Sequence, residues 1–131
     1  MIIAYIDGAS KGNPGPASIG IVCYKDETEK EILFQISEKI GFATNNVAEW
    51  SSLLRLFQEL ISRKIVNVLV YMDSELVVKQ FSGLYKTKNS ELQKLKEQVL
   101  DLKKNLENIQ LTHVKREKNK IADKLANDAF K

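Results

Sequence analysis

The sequence predicts one α/β domain organised around a mixed β-sheet. The first third of the chain contains three runs of strand character joined by short connections, and such a series forms an antiparallel meander. Next come residues 47–61, which have apolar side chains at helical spacing, and the nearly continuous apolar run 66–72. Because a strand–helix–strand connection is a right-handed crossover between parallel strands, the fourth strand is expected to lie parallel to a strand of the meander.

Turn residues and the periodicity of apolar side chains indicate where each strand and helix begins and ends. Strands are expected at residues 2–7, 18–24, 31–40, 66–72 and 109–114. Helices are expected at residues 44–64, 74–81, 92–106 and 119–129, and Asn119 is expected to cap the last one. Gly8 is interpreted as part of a polar turn after the first strand. The leucine stripe of the third helix is expected to pack on the sheet rather than to form a coiled coil.

Composition favours a folded globular protein and leaves the partner open. Hydrophobic residues make up 44% of the chain, and 20 basic against 17 acidic residues give a net charge of +3. This mild excess is compatible with a polyanionic partner but equally with an ordinary solvated surface. No apolar run has the length of a membrane span, so no membrane association is expected. A single cysteine, Cys23, forms no internal disulfide and suits the cytoplasm.

Four acidic residues occupy the places where a sheet of this kind binds ligands. Asp7 and Asp73 end the two most apolar strands, and Glu49 and Asp123 lie in the first turns of two helices. We expect them to meet in the crevice that forms where the strand order reverses. Clustered carboxylates repel one another unless a cation neutralises them, and oxygen ligands suit Mg²⁺ or Mn²⁺ rather than Zn²⁺. Two such ions about 4 Å apart can promote phosphodiester hydrolysis.

Each acid also has a local explanation that needs no ligand. Asp7 fits a strand terminus, and Asp73 fits a helix N-cap. Glu49 follows an asparagine at the spacing of a capping box, and Asp123 suits the dipole of a helix N-terminus. These separate local explanations do not account for the positions of all four acids, which lie at strand ends and helix starts expected to surround one crevice.

Four segments carry motifs of one known family. Residues 5–16, YIDGASKGNPGP, resemble its opening Y-x-D-G-(x)n-G-N-P-G motif, and residues 44–50, TNNVAEW, resemble its T-N-N-x-A-E-aromatic helix start. Residues 72–78, MDSELVV, resemble its D-S-x-L-V strand end, and residues 114–126, VKREKNKIADKLA, resemble its closing V-x-R-E-x-N-x-x-A-D-x-L-A motif. In order and spacing, the chain resembles ribonuclease H of type 1, in the minimal form of its archaeal and retroelement-like members.

The resemblance implies a fold, an activity and a metal site. The fold would be the RNase H-like α/β fold, a five-stranded mixed sheet of order 3-2-1-4-5 with strands 1–3 antiparallel, flanked by helices. Residues 1–131 would form a single catalytic domain, a magnesium-dependent endonuclease that cuts the RNA strand of RNA–DNA hybrids and leaves 3′-hydroxyl and 5′-phosphate ends. By analogy, Asp7 would bridge two ions, with Asp73 on the side of the attacking water and Glu49 on the leaving-group side. Asp123 would be a looser ligand.

The resemblance also implies residues that contact the hybrid. Asn13, Asn45 and Asn46 match residues that contact the RNA strand, and Thr44 matches one near a DNA phosphate. An amide can both donate to and accept from a 2′-hydroxyl, the group that distinguishes RNA from DNA. Plain helix capping is the alternative explanation for these side chains. The remaining expected substrate-binding residues are Gly8, Ser10, Ser74 and Arg116.

Two departures separate the chain from many bacterial members. A short segment with Arg116 replaces a glycine-rich loop with an assisting histidine, so Arg116 either steers a phosphate or is a solvated loop charge. The only histidine, His113, is interpreted as a partly buried structural residue. The basic protrusion is missing, which leaves Lys79, Lys86 and Lys88 to track a DNA backbone with weak, less salt-dependent affinity.

Two other functions stay open at this point. A nucleic-acid-binding module without catalysis usually lacks one of the metal-binding acids, whereas all four are present here. An integrase-like enzyme of the same superfold is usually embedded among other domains. We expect the chain to act as a monomer.

Overall fold

The computed structural model describes residues 1–131 and contains one sheet with the strand order β3-β2-β1-β4-β5. The strands are β1 (Ile2–Ser10), β2 (Gly15–Tyr24), β3 (Ile32–Ala43), β4 (Asn67–Met72) and β5 (Asn108–His113). The helices are α1 (Asn45–Ser62), α2 (Glu75–Phe81), α3 (Ser90–Lys103) and α4 (Lys120–Asp128), with a 3-10 turn at Arg116–Lys118. No helix combines the length and the apolar character that crossing a bilayer requires.

The pairing of the strands confirms the predicted topology. β1, β2 and β3 pair antiparallel, whereas β4 is parallel to both β1 and β5. The β1–β4 ladder ends at the pair Ile6 and Met72, while the β1–β2 ladder continues to Ser10. The sheet therefore opens directly after Ile6 and Met72.

Helix α1 covers one face of the sheet. Its Trp50, Leu53 and Phe57 are fully buried and belong to one core cluster with alternate residues of the strands, among them Ile6 and Met72. Each such apolar side chain contributes roughly 1.5–3 kcal/mol through removal from water. The Trp50 indole N–H is satisfied by Gln80 Oε1 at 2.9 Å. This packing fixes the position of the α1 N-terminus above the sheet edge.

Helix α4 lies on the opposite face of the sheet, close to β2. A Cβ on Gly20 would lie 2.1 Å from the Ala122 carbonyl oxygen, so only glycine allows this approach. The hydroxyl of Ser18 donates to the carbonyl of Ala126 at the same contact. Asp7 pairs with Gly20 and therefore lies on the α4 face.

Three local predictions were wrong. Strand β1 does not end at Asp7 but continues through Gly8 to Ser10, because these residues keep their hydrogen bonds to β2. Helix α3 packs against α1 rather than on the sheet. His113 is exposed, since β5 is the edge strand of the sheet.

Candidate active site

Asp7 and Asp73 are adjacent because they are the first residues beyond the β1–β4 ladder. Asp7 is 5% exposed, and Asp73 is half-buried. Glu49 joins them from α1, and the three residues each offer one carboxylate oxygen within 4.8 Å of the others. The structure thus brings together three of the four predicted acids in one compact cluster.

Glu49 is held by the backbone of β1. Helix α1 begins at Asn45 and is capped by Thr44, so Glu49 lies beyond the first turn and takes no part in a capping box. Its Oε1 instead accepts a hydrogen bond of 2.7 Å from the Gly8 N–H. A Cβ on Gly8 would lie 2.2 Å from the Ala48 carbonyl carbon, which explains why glycine is needed where helix and strand meet.

Asp123 lies in the first turn of α4, as predicted, and faces the same cleft. It is not a member of the compact three-acid cluster, although its carboxyl group is close enough to contribute to the raised pKa of Asp7. The side chain of Asn127 donates to both the carbonyl and the carboxylate of Asp123, at 2.9 and 3.4 Å.

The electrostatics of the cluster favour a bound cation. Burial raises the pKa of Asp7 to about 10, and the charges of Glu49 and Asp73 add to this rise. Burial and the charge of Asp73 raise the pKa of Glu49 to about 8, against the lowering effect of the Gly8 N–H. No ion pair joins these acids to a basic side chain. An all-carboxylate donor set of this kind fits a hard divalent cation such as Mg²⁺.

The polar residues beside the acids form a hydrogen-bonded chain. The Ser10 N–H donates to Asn45 Oδ1, and the Asn45 N–H donates to Asn13 Oδ1, each at 3.1 Å. Each of these amide oxygens accepts one N–H and keeps a second lone pair, and each Nδ2 makes no hydrogen bond within the protein. The expectation that these amides both donate to and accept from a hybrid stays a prediction.

The other expected substrate-binding residues are divided between the cleft and its surroundings. The cleft is lined by Asp7, Gly8, Ala9, Ser10, Asn45, Glu49, Asp73, Arg116, Asp123 and Asn127. Outside this lining are Asn13, Thr44, Asn46 and Ser74. Thr44 and Ser74 cap α1 and α2, with their side-chain oxygens accepting from the N–H groups of Val47 and Val77. Asn46 is exposed and makes no side-chain hydrogen bond.

Comparisons with known proteins agree with this geometry. A family model described as "Reverse transcriptase-like" matches residues 5–129. Ribonuclease HI of Halobacterium salinarum is 36% identical over 127 residues, which are 97% of this chain and 63% of that protein. The crystal structure of RNase H1 from the same archaeon superimposes with a TM-score of 0.93 at 35% identity, covering 98% of this chain and 96% of that one. The chain belongs to the type 1 ribonuclease H family.

Further ribonuclease H relatives match over nearly the whole chain. The bifunctional protein Rv2228c of Mycobacterium tuberculosis is 39% identical over 129 residues, which are 98% of this chain and 35% of that protein. This chain thus spans about a third of the length of the mycobacterial relative. LC11-RNase H1, in its crystal structure with an RNA/DNA hybrid, has a TM-score of 0.92 at 42% identity, covering 98% of this chain and 96% of that one.

Sequence reasoning missed two asparagines of this ribonuclease H site. Asn127 was not singled out, although its position four residues after Asp123 on a helix is a signal for a side-chain contact. Asn119 was expected only to cap α4, but its side chain makes no capping bond. It is 1% exposed and donates instead to the Ile6 carbonyl and to Asp73.

Proposed function

We propose that this chain hydrolyses the RNA strand of RNA–DNA hybrids with two divalent cations and leaves 3′-hydroxyl and 5′-phosphate ends. The observation that carries the proposal is the cluster of Asp7, Glu49 and Asp73 at the open edge of a ribonuclease H sheet. Its relative LC11-RNase H1 has been crystallised with an RNA/DNA hybrid, which supports the same substrate class here. Residues 1–131 would act as one catalytic domain.

The ligand roles proposed here are those that the family resemblance implies, and the free carboxylate oxygens agree with them. No N–H group or hydroxyl donates to the Asp7 side chain, so both of its oxygens are available and Asp7 suits the bridging position between two ions. Glu49 has one oxygen engaged by Gly8, and Asp73 has one engaged by Asn119. Each retains one oxygen without a hydrogen bond. By analogy with the family, Asp73 would hold the ion on the side of the attacking water, and Glu49 would hold the ion on the leaving-group side.

Asp123 would be the more loosely held ligand, because it lies outside the compact cluster. When bound, Mg²⁺ or Mn²⁺ would supply an activated water and charge stabilisation of the leaving oxygen. The carboxylates of the chain would hold both ions in the cleft at the open edge of the sheet.

The polar residues would position the hybrid next to the acids. The Nδ2 groups of Asn45 and Asn13, which make no hydrogen bond within the protein, would donate to acceptor oxygens of the RNA strand, including 2′-hydroxyls. Thr44 has its hydroxyl oxygen engaged as a helix cap, so its O–H is left to donate to a phosphate. Arg116 lines the cleft without an ion-pair partner, which supports a role in holding a phosphate.

A hybrid with separately labelled strands tests the proposal. We expect Mg²⁺-dependent fragments from the RNA strand only, with 3′-hydroxyl and 5′-phosphate ends identified by ligation and phosphatase treatment. A DNA duplex of the same sequence is the matched control and is expected to remain intact. Cleavage of the DNA duplex at a similar rate would contradict the proposed substrate, and fragments with 3′-phosphate ends would contradict the proposed chemistry.

A further inference from the structure

The side chain of Asn119 connects the two strands that carry the central acids. It lies directly before α4 and is 1% exposed. Its Nδ2 donates to the carbonyl of Ile6 at 2.9 Å and to Asp73 Oδ2 at 3.3 Å. Ile6 immediately precedes Asp7, so one amide group contacts β1 and β4 at the point where their pairing ends.

The orientation of this amide is determined by its partners. Both of them are acceptors, so Nδ2 and not Oδ1 must face the strands. Oδ1 accepts no hydrogen bond from the protein, and the side chain does not cap the helix that it precedes. All hydrogen bonds made by the Asn119 side chain are therefore donated to these two strands.

The orientation of the Asp73 carboxylate depends on the hydrogen bond from Asn119. No other side chain or N–H group donates a hydrogen bond to its carboxylate. Asp73 also follows the last residue of β4, so the sheet does not hold its backbone on both sides. Without the amide, rotation of the carboxylate would be limited only by packing.

The position beside the Asp73 carboxylate favours a side chain that donates a hydrogen bond and carries no charge. An acid here would add another negative charge to the cluster, and a basic side chain would compete with a cation for Asp73. An amide restricts the rotation of the carboxylate and leaves its charge in place. Groups that orient metal ligands in this way typically change metal affinity by about 10- to 100-fold when they are removed.

We propose that Asn119 is a positioning residue that holds the Asp73 carboxylate in the orientation needed to bind a divalent cation. This inference rests on the proposed function, since it assigns Asn119 a role in the same metal site. Asn119 itself contacts neither the cation nor the hybrid. Its effect is transmitted through Asp73 and through the carbonyl that precedes Asp7.

The test compares Mn²⁺ binding, measured by calorimetry without nucleic acid, in the wild type and in Asn119→Ala. We expect the Kd for Mn²⁺ to rise about 10-fold or more. The Mg²⁺ concentration for half-maximal RNA cleavage should rise in parallel, while the KM for the hybrid at saturating Mg²⁺ stays unchanged. Ser18→Ala is the matched control, since it removes another buried bond at α4 without touching an acid, and its Kd for Mn²⁺ should equal that of the wild type.

Asn119→Ser keeps one donor and provides the second variant. Its Kd for Mn²⁺ should lie between those of the wild type and Asn119→Ala. If the alanine variant does not fold, the comparison of Asn119→Ser with the wild type tests the inference. Wild-type affinity for Mn²⁺ in the folded variants would overturn the inference and leave Asn119 a purely structural residue. A wild type that binds Mn²⁺ but cuts no hybrid would overturn the proposed function alone, whereas a wild type that binds no Mn²⁺ would overturn both.

Discussion

The Gly8 N–H donates to Glu49 Oε1 at 2.7 Å, and this bond joins the strand that carries Asp7 to the helix that carries Glu49. It is possible only because Gly8 has no side chain at the point where β1 passes under α1. Gly8 was expected to form part of a turn. Instead it lies within β1, where the absence of a side chain lets the strand approach α1 closely. The distance between Asp7 and Glu49 is thus set by backbone packing rather than by the two side chains alone.

Gly8→Ala should therefore damage the site more than the fold. The added Cβ would lie 2.2 Å from the Ala48 carbonyl carbon, so α1 must shift and carry Glu49 with it. We expect a loss of roughly 1–3 kcal/mol in the free energy of unfolding and a fall in kcat of about 100-fold. Urea denaturation and steady-state cleavage measure the two effects.

Gly41→Ala is the control for this substitution. Gly41 has a φ of +92° but open space around its Cβ position, so alanine there strains the backbone without displacing a neighbour. Its stability should fall, while kcat should stay near the wild-type value. Equal kcat values for the two variants would contradict the role given to Gly8.

The free energy of unfolding of the metal-free protein should fall as the pH rises from 6 to 9. Over this range the Asp7 carboxyl, with its pKa raised to about 10, stays protonated in the folded state but is ionised in the unfolded chain. The folded state then binds more protons, and the slope reaches up to about 1.4 kcal/mol per pH unit. Glu49, with a pKa of about 8, adds a slope of the same sign over the lower part of the range.

Urea denaturation in EDTA at several pH values measures this slope. Saturating Mg²⁺ should flatten it, because the cation replaces the proton as the partner of the carboxylates. Asp7→Asn should also reduce the slope, since the amide does not ionise. A pH-independent free energy of unfolding in EDTA would show that the carboxylates are neither buried nor clustered as described.

Asn45→Asp should weaken substrate binding at little cost in stability. The aspartate retains an oxygen that can accept from the Ser10 N–H, but it loses the Nδ2 donor and adds a charge that repels phosphate. We expect the KM for the hybrid to rise by about 10-fold or more, with a smaller change in kcat. An unchanged KM would contradict the assignment of Asn45 as a donor to the RNA strand.

Lys86 and Lys88 are exposed and form no ion pair, whereas Lys79 pairs with Glu75 at 2.7 Å. If the first two contact the DNA backbone, replacing both with alanine should weaken hybrid binding and reduce the slope of log K against log salt by about 1–2. Lys30→Ala, in the β2–β3 turn at the end of the sheet away from Asp7, is the control. An equal effect of Lys30→Ala would indicate general electrostatic attraction instead of specific contacts.

The sequence allowed the strand order and the cluster of Asp7, Glu49 and Asp73 to be predicted, because both follow from local patterns and family motifs. It did not reveal the buried hydrogen bond of Asn119 to the Ile6 carbonyl, 113 positions away in the chain. A helix-capping preference is local and visible in sequence, whereas a buried bond between distant elements is not.

The burial of His113 was mispredicted for a related reason. Alternation along β5 indicates which side chains share a face, but it does not indicate that β5 is the edge strand of the sheet. Tertiary packing decides such exposure, and the packing of α3 against α1 rather than on the sheet has the same origin.

Cleavage and binding of a labelled RNA–DNA hybrid by wild type and Asp7→Asn test the central claim most directly. We expect the wild type to cut only the RNA strand, in Mg²⁺ but not in EDTA, and Asp7→Asn to bind the hybrid without cutting it. Cutting by Asp7→Asn at the wild-type rate, or hybrid binding by the wild type without cleavage in Mg²⁺ or Mn²⁺, would contradict a carboxylate-held metal site as the source of the activity.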